Sequence, residues 1–141
     1  MFWFAIALTI VSNVFYHIFQ KITPQEANPA LALAVSYFVA GVVCLLLLPI
    51  FPLKPGLWGE LKQINWASFG LAFTIVGLEL GFLLAYRAGW LINIAGITSN
   101  AAVGILLIPI GLWLFRDQLT RTNAVGVGFA IIGLILMNWR E

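Results

Sequence analysis

Apolar residues along this chain form long runs that are interrupted only where proline, glycine and charged residues cluster. The polar stretches KITPQEANP, PLKPGLWGELKQIN, RAG and RDQLTR separate these runs from one another. At about 1.5 Å per residue, each run is long enough as a helix to cross, or almost cross, a hydrocarbon core about 30 Å thick. The pattern therefore predicts five helical spans, at residues 2–20, 29–51, 66–86, 90–115 and 122–139.

Composition indicates that these helices lie in a membrane. Of the 141 residues, 62% are hydrophobic and 9% are charged, whereas soluble domains carry roughly 25% charged residues. The apolar runs are continuous and lack the alternation of transmembrane strands, which excludes a barrel. We therefore expect an all-α integral membrane protein, a single domain over residues 1–141, that is multi-pass in a plasma membrane of the bacterial inner-membrane type.

The basic residues give a weak signal for orientation. Five spans would place four of them on one side of the membrane and three on the other: Lys54, Lys62, Arg116 and Arg121 against Lys21, Arg87 and Arg140. A difference of one is too small for the positive-inside rule to fix a direction. Two interpretations stay open, a fixed orientation with the N-terminus inside and insertion in both directions. Because the basic residues are scattered singly, nucleic acid is not expected as a partner.

An odd number of spans places the two ends of the chain on opposite sides of the membrane. A second copy can therefore insert upside down, and transporters with inverted repeats build a substrate site near the bilayer midplane in this way. The chain has the plan of one such repeat. We expect half of an inverted-repeat transporter that pairs with a second copy of itself as an inverted homodimer.

Motifs in roughly the last 60 residues resemble a known family. The segment LLAYRAG closes the third predicted span, RDQLT follows the small-residue-rich fourth span, and NAVGVGFAIIGLILM forms the fifth. These segments resemble the patterns AL-x-Y-x-x-A, G-E-x-L-[ST] and G-x-x-L-I-x-x-G of the EamA-like domain of the drug/metabolite transporter superfamily. The rest of the chain resembles that domain only in its five-span plan.

The resemblance implies a transporter of small molecules, built from a repeat that normally occurs twice. It also implies translocation-path residues on the fourth span, and it places Tyr86 at the motif tyrosine and Asp117 at the loop acid. Smaller four-span relatives work as dimers, some antiparallel, and carry an essential carboxylate in their first span. This chain departs from that pattern, because its first span holds Asn13 and His17 but no acid.

Glu79 is the single charged residue of the third predicted span. A charge near the bilayer centre costs ~2.5–3.5 kcal/mol on insertion scales, so this side chain should face protein or water. Tyr86, seven residues further on, shares its helical face. Gly77 and Gly81 form a G-x-x-x-G on roughly the opposite side, where another helix can approach. We predict that Glu79 binds substrate or a proton; the alternative is a structural carboxyl that fixes helix packing.

Two pairs of polar residues are further candidates for the lining of a substrate path. Asn13 and His17 are four residues apart and share a face of the first span. Asn93 and Asn100 are seven apart on the fourth span and face the same way. The alternative for His17 is contact with the membrane interface near the end of its span.

No signature of an enzyme stands out in the sequence. A Ser–His–acid set, metal-ligand spacing and a phosphate-binding loop are all missing, so we expect neither catalysis nor a cofactor or metal. The expected function is transport of a small-molecule substrate by alternating access, with the lipid bilayer and a second copy as partners. A passive channel formed by an inverted dimer and a non-transporting accessory subunit are the alternatives.

Overall fold

The computed structural model describes residues 2–54, 56–116, 118 and 120–139. This part of the chain is helical and contains no strand. The helices are α1 (Phe2–Ile22), α2 (Pro29–Leu46), α3 (Gly56–Leu61), α4 (Trp66–Arg87), α5 (Ile92–Ile110) and α6 (Arg121–Asn138). All but the short α3 belong to five segments long and apolar enough to cross a membrane, which confirms the prediction of five such helices. The loop acid Asp117 lies outside the described residues.

Polar side chains, and at α2 a proline, mark where three of the spanning helices begin. Asn28 precedes α2, and its side-chain oxygen accepts a hydrogen bond of 3.1 Å from the amide of Leu31. Pro29 then occupies the first turn, where its missing amide hydrogen is not needed. Asn65 and Thr120 cap α4 and α6 in the same way. These caps satisfy amides that would otherwise have no partner at the helix ends.

Helix α2 ends at Leu46, before the predicted limit of residue 51. Beyond it the chain continues in tight turns, in which the amide of Leu48 donates to the carbonyl of Leu45 at 3.2 Å. Pro49 accounts for the early end, because it has no amide hydrogen and disfavours the α conformation in the residue before it. The second span is therefore shorter than the sequence predicts.

Helix α5 changes its hydrogen-bonding pattern close to Pro109. The α-helix ends at Ile110 and passes directly into one π-helical turn, Gly111–Phe115. Pro109 cannot donate to the carbonyl four residues earlier, which weakens the regular α ladder at this point. Arg116 ends the turn in the left-handed conformation, with φ 56°. The complete span is Ile92–Phe115.

The helices form two compact units, Met1–Ala88 and Gly89–Glu141. In the first unit, α4 packs against both α1 and α2. Leu33, Leu83 and Tyr86 are its buried hydrophobic residues. In the second unit, α5 packs against α6, and Ala95 is the buried hydrophobic residue.

The outer surface of the spanning helices is apolar. Trp66 and Trp113 are 82% and 87% exposed, and each spanning helix has at most two buried residues among those described. Water-soluble proteins rarely expose continuous apolar surface of this kind. A multi-pass membrane protein is expected to have such an apolar outer surface, because lipid covers it.

Candidate functional site

A partly open cavity of about 250 Å³ lies between α1, α2 and α4 in the first unit. Side chains from all three helices line this Glu79 cavity: Tyr16, Phe19, Gln20, Thr23, Ala32, Leu33, Ser36, Tyr37, Ala40, Glu79 and Leu83. Three of these residues are aromatic, one is acidic and none is basic. The lining is therefore mixed aromatic and polar, with a single carboxylate.

Glu79 lies on α4, where it is half-buried and lines the cavity. Among the residues that the structure describes, no basic side chain pairs with its carboxylate. Its backbone carbonyl accepts a hydrogen bond of 3.4 Å from Nε2 of Gln20 on α1. The structure thus places the carboxylate predicted to be functional beside an internal space.

Tyr37 on α2 lies close to Glu79 in the same cavity. Its buried hydroxyl is a hydrogen-bonding neighbour of the Glu79 carboxylate, although the geometry falls short of a complete hydrogen bond with any described residue. The hydroxyls of Ser36 and Thr23, by contrast, donate to carbonyls of their own helices, at 3.0 and 2.9 Å. The Glu79 carboxylate and the Tyr37 hydroxyl are therefore neighbouring polar groups of the cavity that neither a basic side chain nor a complete hydrogen bond from a described residue satisfies.

Gln20 connects the cavity wall to the helix that carries Glu79. It is 8% exposed, and its Nε2 donates to the hydroxyl of Tyr16 and to the carbonyl of Glu79, both at 3.4 Å. A buried amide that bridges two helices restricts their relative position. Gln20 therefore holds α1 against α4 at the level of the carboxylate.

His17 and Tyr86 are joined next to the cavity by the shortest contact between α1 and α4. His17 Nδ1 and the Tyr86 hydroxyl share a hydrogen bond of 2.8 Å, and both residues are buried. The ring of Phe82 packs edge-on against His17, with centroids 4.7 Å apart. His17 Nε2 is buried without a partner among the described residues. Asn13, predicted to share a polar patch with His17, is instead exposed.

Two basic residues tie the C-terminal end of α4 to neighbouring elements. Lys21 Nζ donates to the Tyr86 carbonyl at 3.5 Å and lies 5.4 Å from the centre of the Tyr86 ring. Nη2 of Arg87 donates to the carbonyls of Pro24 and Ala27, at 2.9 and 2.8 Å. The loop between α1 and α2 and the end of α4 therefore lie together, as the predicted order of spans requires.

The predicted pair Asn93 and Asn100 lies in the second unit, and both side chains are exposed. The polar contact found there joins two other residues, because Asn138 Nδ2 donates to Thr98 Oγ1 at 3.3 Å. An open groove of about 450 Å³ runs along α5 and α6, lined by Ala101, Gly104, Ile105, Ile108, Asn123, Gly126, Val127 and Ala130. Its lining is mostly small and apolar.

Sequence reasoning missed Tyr37, Gln20 and Tyr16 as residues of the site. Tyr37 is one tyrosine within an apolar span, and nothing in its spacing separates it from a packing residue. Tyr16 and Gln20 are four apart in the segment YHIFQK, so a search for polar side chains on one helical face would have found them.

No family model matches this chain, and no curated protein or solved structure matches it either.

Proposed function

We propose that the chain is one half of a small-molecule transporter of the drug/metabolite type, in which the Glu79 cavity is the substrate site. The observation that carries this proposal is a carboxylate that has no basic partner among the described residues, inside a helix long and apolar enough to span a membrane and beside a cavity. An ionisable side chain at such a depth is costly, and it is retained in membrane proteins chiefly where a path for substrate or ions passes.

The cavity has the size and lining of a small-molecule site. Its volume of about 250 Å³ is enough for a ligand of one ring and a short arm, and its walls combine rings with a few polar groups. Binding sites for small molecules have this mixture, in which apolar walls supply contact area and a few polar groups fix orientation. The resemblance of roughly the last 60 residues to the EamA-like domain supports transport as the function of this site.

A second copy of the chain, inserted upside down, would complete the transporter. The cavity is partly open, and Gly77 and Gly81 on α4 leave space beside the helix, since a Cβ atom at either would meet no atom within 4 Å beyond the neighbouring turns. A G-x-x-x-G surface of this kind allows close approach of another helix. Pairing of inverted copies would then enclose a midplane site that opens alternately to the two sides.

Uptake into proteoliposomes tests the role of Glu79. The purified chain is reconstituted and given radiolabelled L-phenylalanine, D-glucose, succinate and benzyltrimethylammonium in separate assays. We expect saturable uptake of at least one compound, and a rate reduced about tenfold or more by Glu79→Gln, because the variant loses charge-assisted hydrogen bonds.

Glu60→Gln is the matched control for this assay. Glu60 lies on the short helix α3 and does not line the Glu79 cavity. The control should transport like the wild type. Equal uptake by the Glu79→Gln variant would contradict the proposed role of the carboxylate and would favour a structural one.

A further inference from the structure

The charges around the Glu79 cavity favour a positively charged ligand. The described lining carries one carboxylate and no basic side chain, and no basic residue of the described chain pairs with that carboxylate. An anionic ligand would meet repulsion without compensation from the described lining, and a neutral one would supply no counter-charge to the carboxylate. A cation supplies the charge that the site lacks.

The hydrogen-bonding groups of the cavity indicate which class of cation would bind there. Glu79 is an acceptor, and the neighbouring Tyr37 hydroxyl is buried, interacts with that carboxylate and completes no hydrogen bond of full geometry with a described residue, so its oxygen can also accept. Buried polar groups in native proteins nearly always have a partner. A cation that carries N–H groups can donate to both acceptors at once, whereas a quaternary ammonium cannot donate to either.

The aromatic residues of the cavity can contact the hydrocarbon part of such a ligand. Tyr16 and Phe19 on α1 line the cavity together with Tyr37 on α2. Aromatic rings attract a cation that lies over their faces, and they also provide apolar contact for a hydrocarbon arm. The remaining lining is small or aliphatic, as at Ala32, Ala40 and Leu83, which leaves room for a small ring.

We propose that the Glu79 cavity binds small primary amines in their ammonium form. The ammonium group donates to the Glu79 carboxylate and to the Tyr37 hydroxyl, and the organic arm lies against Tyr16 and Phe19. This assignment names the substrate class of the proposed transporter and rests on that proposed function.

Ligand binding to the full chain in lipid nanodiscs tests the assignment without any need for transport. Four probes of similar shape are titrated calorimetrically at pH 7, with empty nanodiscs as blanks. They are phenethylamine, 2-phenylethanol, 3-phenylpropionate and N,N,N-trimethylphenethylammonium. We expect phenethylamine to bind about tenfold or more tightly than the alcohol and the acid, and about threefold or more tightly than the trimethyl analogue.

Two variants test which residues cause the preference for phenethylamine. Glu79→Gln should remove the preference for phenethylamine over 2-phenylethanol. Tyr37→Phe should weaken the binding of phenethylamine about threefold and leave the binding of the trimethyl analogue unchanged. Only phenethylamine has N–H groups that can donate to the Tyr37 hydroxyl. Glu60→Gln is the control and should bind like the wild type. If Glu79→Gln does not fold, the wild-type series and Tyr37→Phe decide the outcome.

Three results would overturn the assignment: equal binding of the alcohol or the acid, equal binding of the trimethyl analogue, or unchanged phenethylamine affinity in Glu79→Gln. Failure here is distinguishable from failure of the proposed function. Glu79-dependent uptake without amine selectivity would refute only the ligand class. Selective amine binding without uptake of any compound, radiolabelled phenethylamine included, would refute transport and leave the binding site intact.

Discussion

Two tyrosines of the first unit differ in the hydrogen bonding of their hydroxyl groups. The Tyr86 hydroxyl shares a hydrogen bond of 2.8 Å with His17, while the Tyr37 hydroxyl completes none with a described residue. Both hydroxyls lie within spanning helices. Hydrogen bonds between membrane helices contribute about 0.6 kcal/mol on average and reach about 1.7 kcal/mol. The same substitution should therefore have different effects at these two positions.

We expect Tyr86→Phe to lower the free energy of unfolding by about 1 kcal/mol, because it leaves both nitrogens of the buried His17 ring without a partner. Tyr37→Phe is the matched control and should change that free energy by less than about 0.3 kcal/mol in the absence of ligand. Reversible unfolding in detergent or lipid measures both values. Equal effects of the two substitutions would show that the bond between α1 and α4 contributes nothing to stability.

The sequence pointed to some residues of the site for reasons that the structure makes clear. Glu79 could be predicted because a charge in an apolar run has few physical explanations, and Tyr86 because it lies seven residues further along one helical face. Tyr37 could not be predicted, since its significance depends on which face of α2 meets α4. His17 shows the same limit, because sequence alone did not reveal its partner on another helix.

At the scale of elements, Arg87 connects the end of α4 to the loop between α1 and α2. Its Nη2 donates to the carbonyls of Pro24 and Ala27, which lie in the loop before α2. Lys21, at the end of α1, donates to the carbonyl of Tyr86 next to Arg87. The three helices that surround the Glu79 cavity are thus joined at one end, by bonds whose donors carry a charge and are stronger than neutral ones.

We expect Arg87→Ala to release the loop between α1 and α2. Amide hydrogens at residues 25–28 should exchange about tenfold faster, because the substitution removes both charge-assisted bonds that fix the loop. Hydrogen-exchange mass spectrometry measures these rates. Arg121→Ala, in the second unit, is the control and should leave them unchanged. Unchanged exchange in Arg87→Ala would mean that backbone contacts alone fix the loop.

Element boundaries were predictable where a residue type dictates them and not elsewhere. The polar stretch KITPQEANP predicted a second span from residue 29, and α2 begins at Pro29. The end of α2 was predicted too late, because an apolar run continues past Pro49 although its helix cannot. The π-helical turn after Pro109 had no signal beyond the proline itself.

At the scale of the whole molecule, the number and type of spanning helices followed from the sequence alone. Continuous apolar runs of this length leave the backbone one way to satisfy its hydrogen bonds in lipid, which is the helix. The arrangement of helices around Glu79 did not follow, because packing within a membrane depends on particular contacts between helices rather than on apolar periodicity. The inverted pairing of two copies stays a prediction.

We expect the chain to be present in both orientations in the membrane. In a Cys44→Ser background, single cysteines at Gln25 and at Lys62 probe loops predicted to lie on opposite sides. An impermeant maleimide should label about half of each variant from outside intact cells, since the charge bias between the two sides is small. Complete labelling of one position with none of the other would establish a fixed orientation and exclude an inverted homodimer.

Trans-stimulation of uptake is the most direct test of the central claim, transport by alternating access through the Glu79 cavity. Proteoliposomes are loaded with an unlabelled compound that the chain transports, and initial uptake of the labelled compound is compared with that of empty vesicles. If the carrier returns its binding site to the outer side faster with bound compound than without it, uptake into the loaded vesicles should be several-fold faster. Glu79→Gln should lose that acceleration. Equal, non-saturable uptake into loaded and empty vesicles would contradict alternating access and would indicate a passive channel.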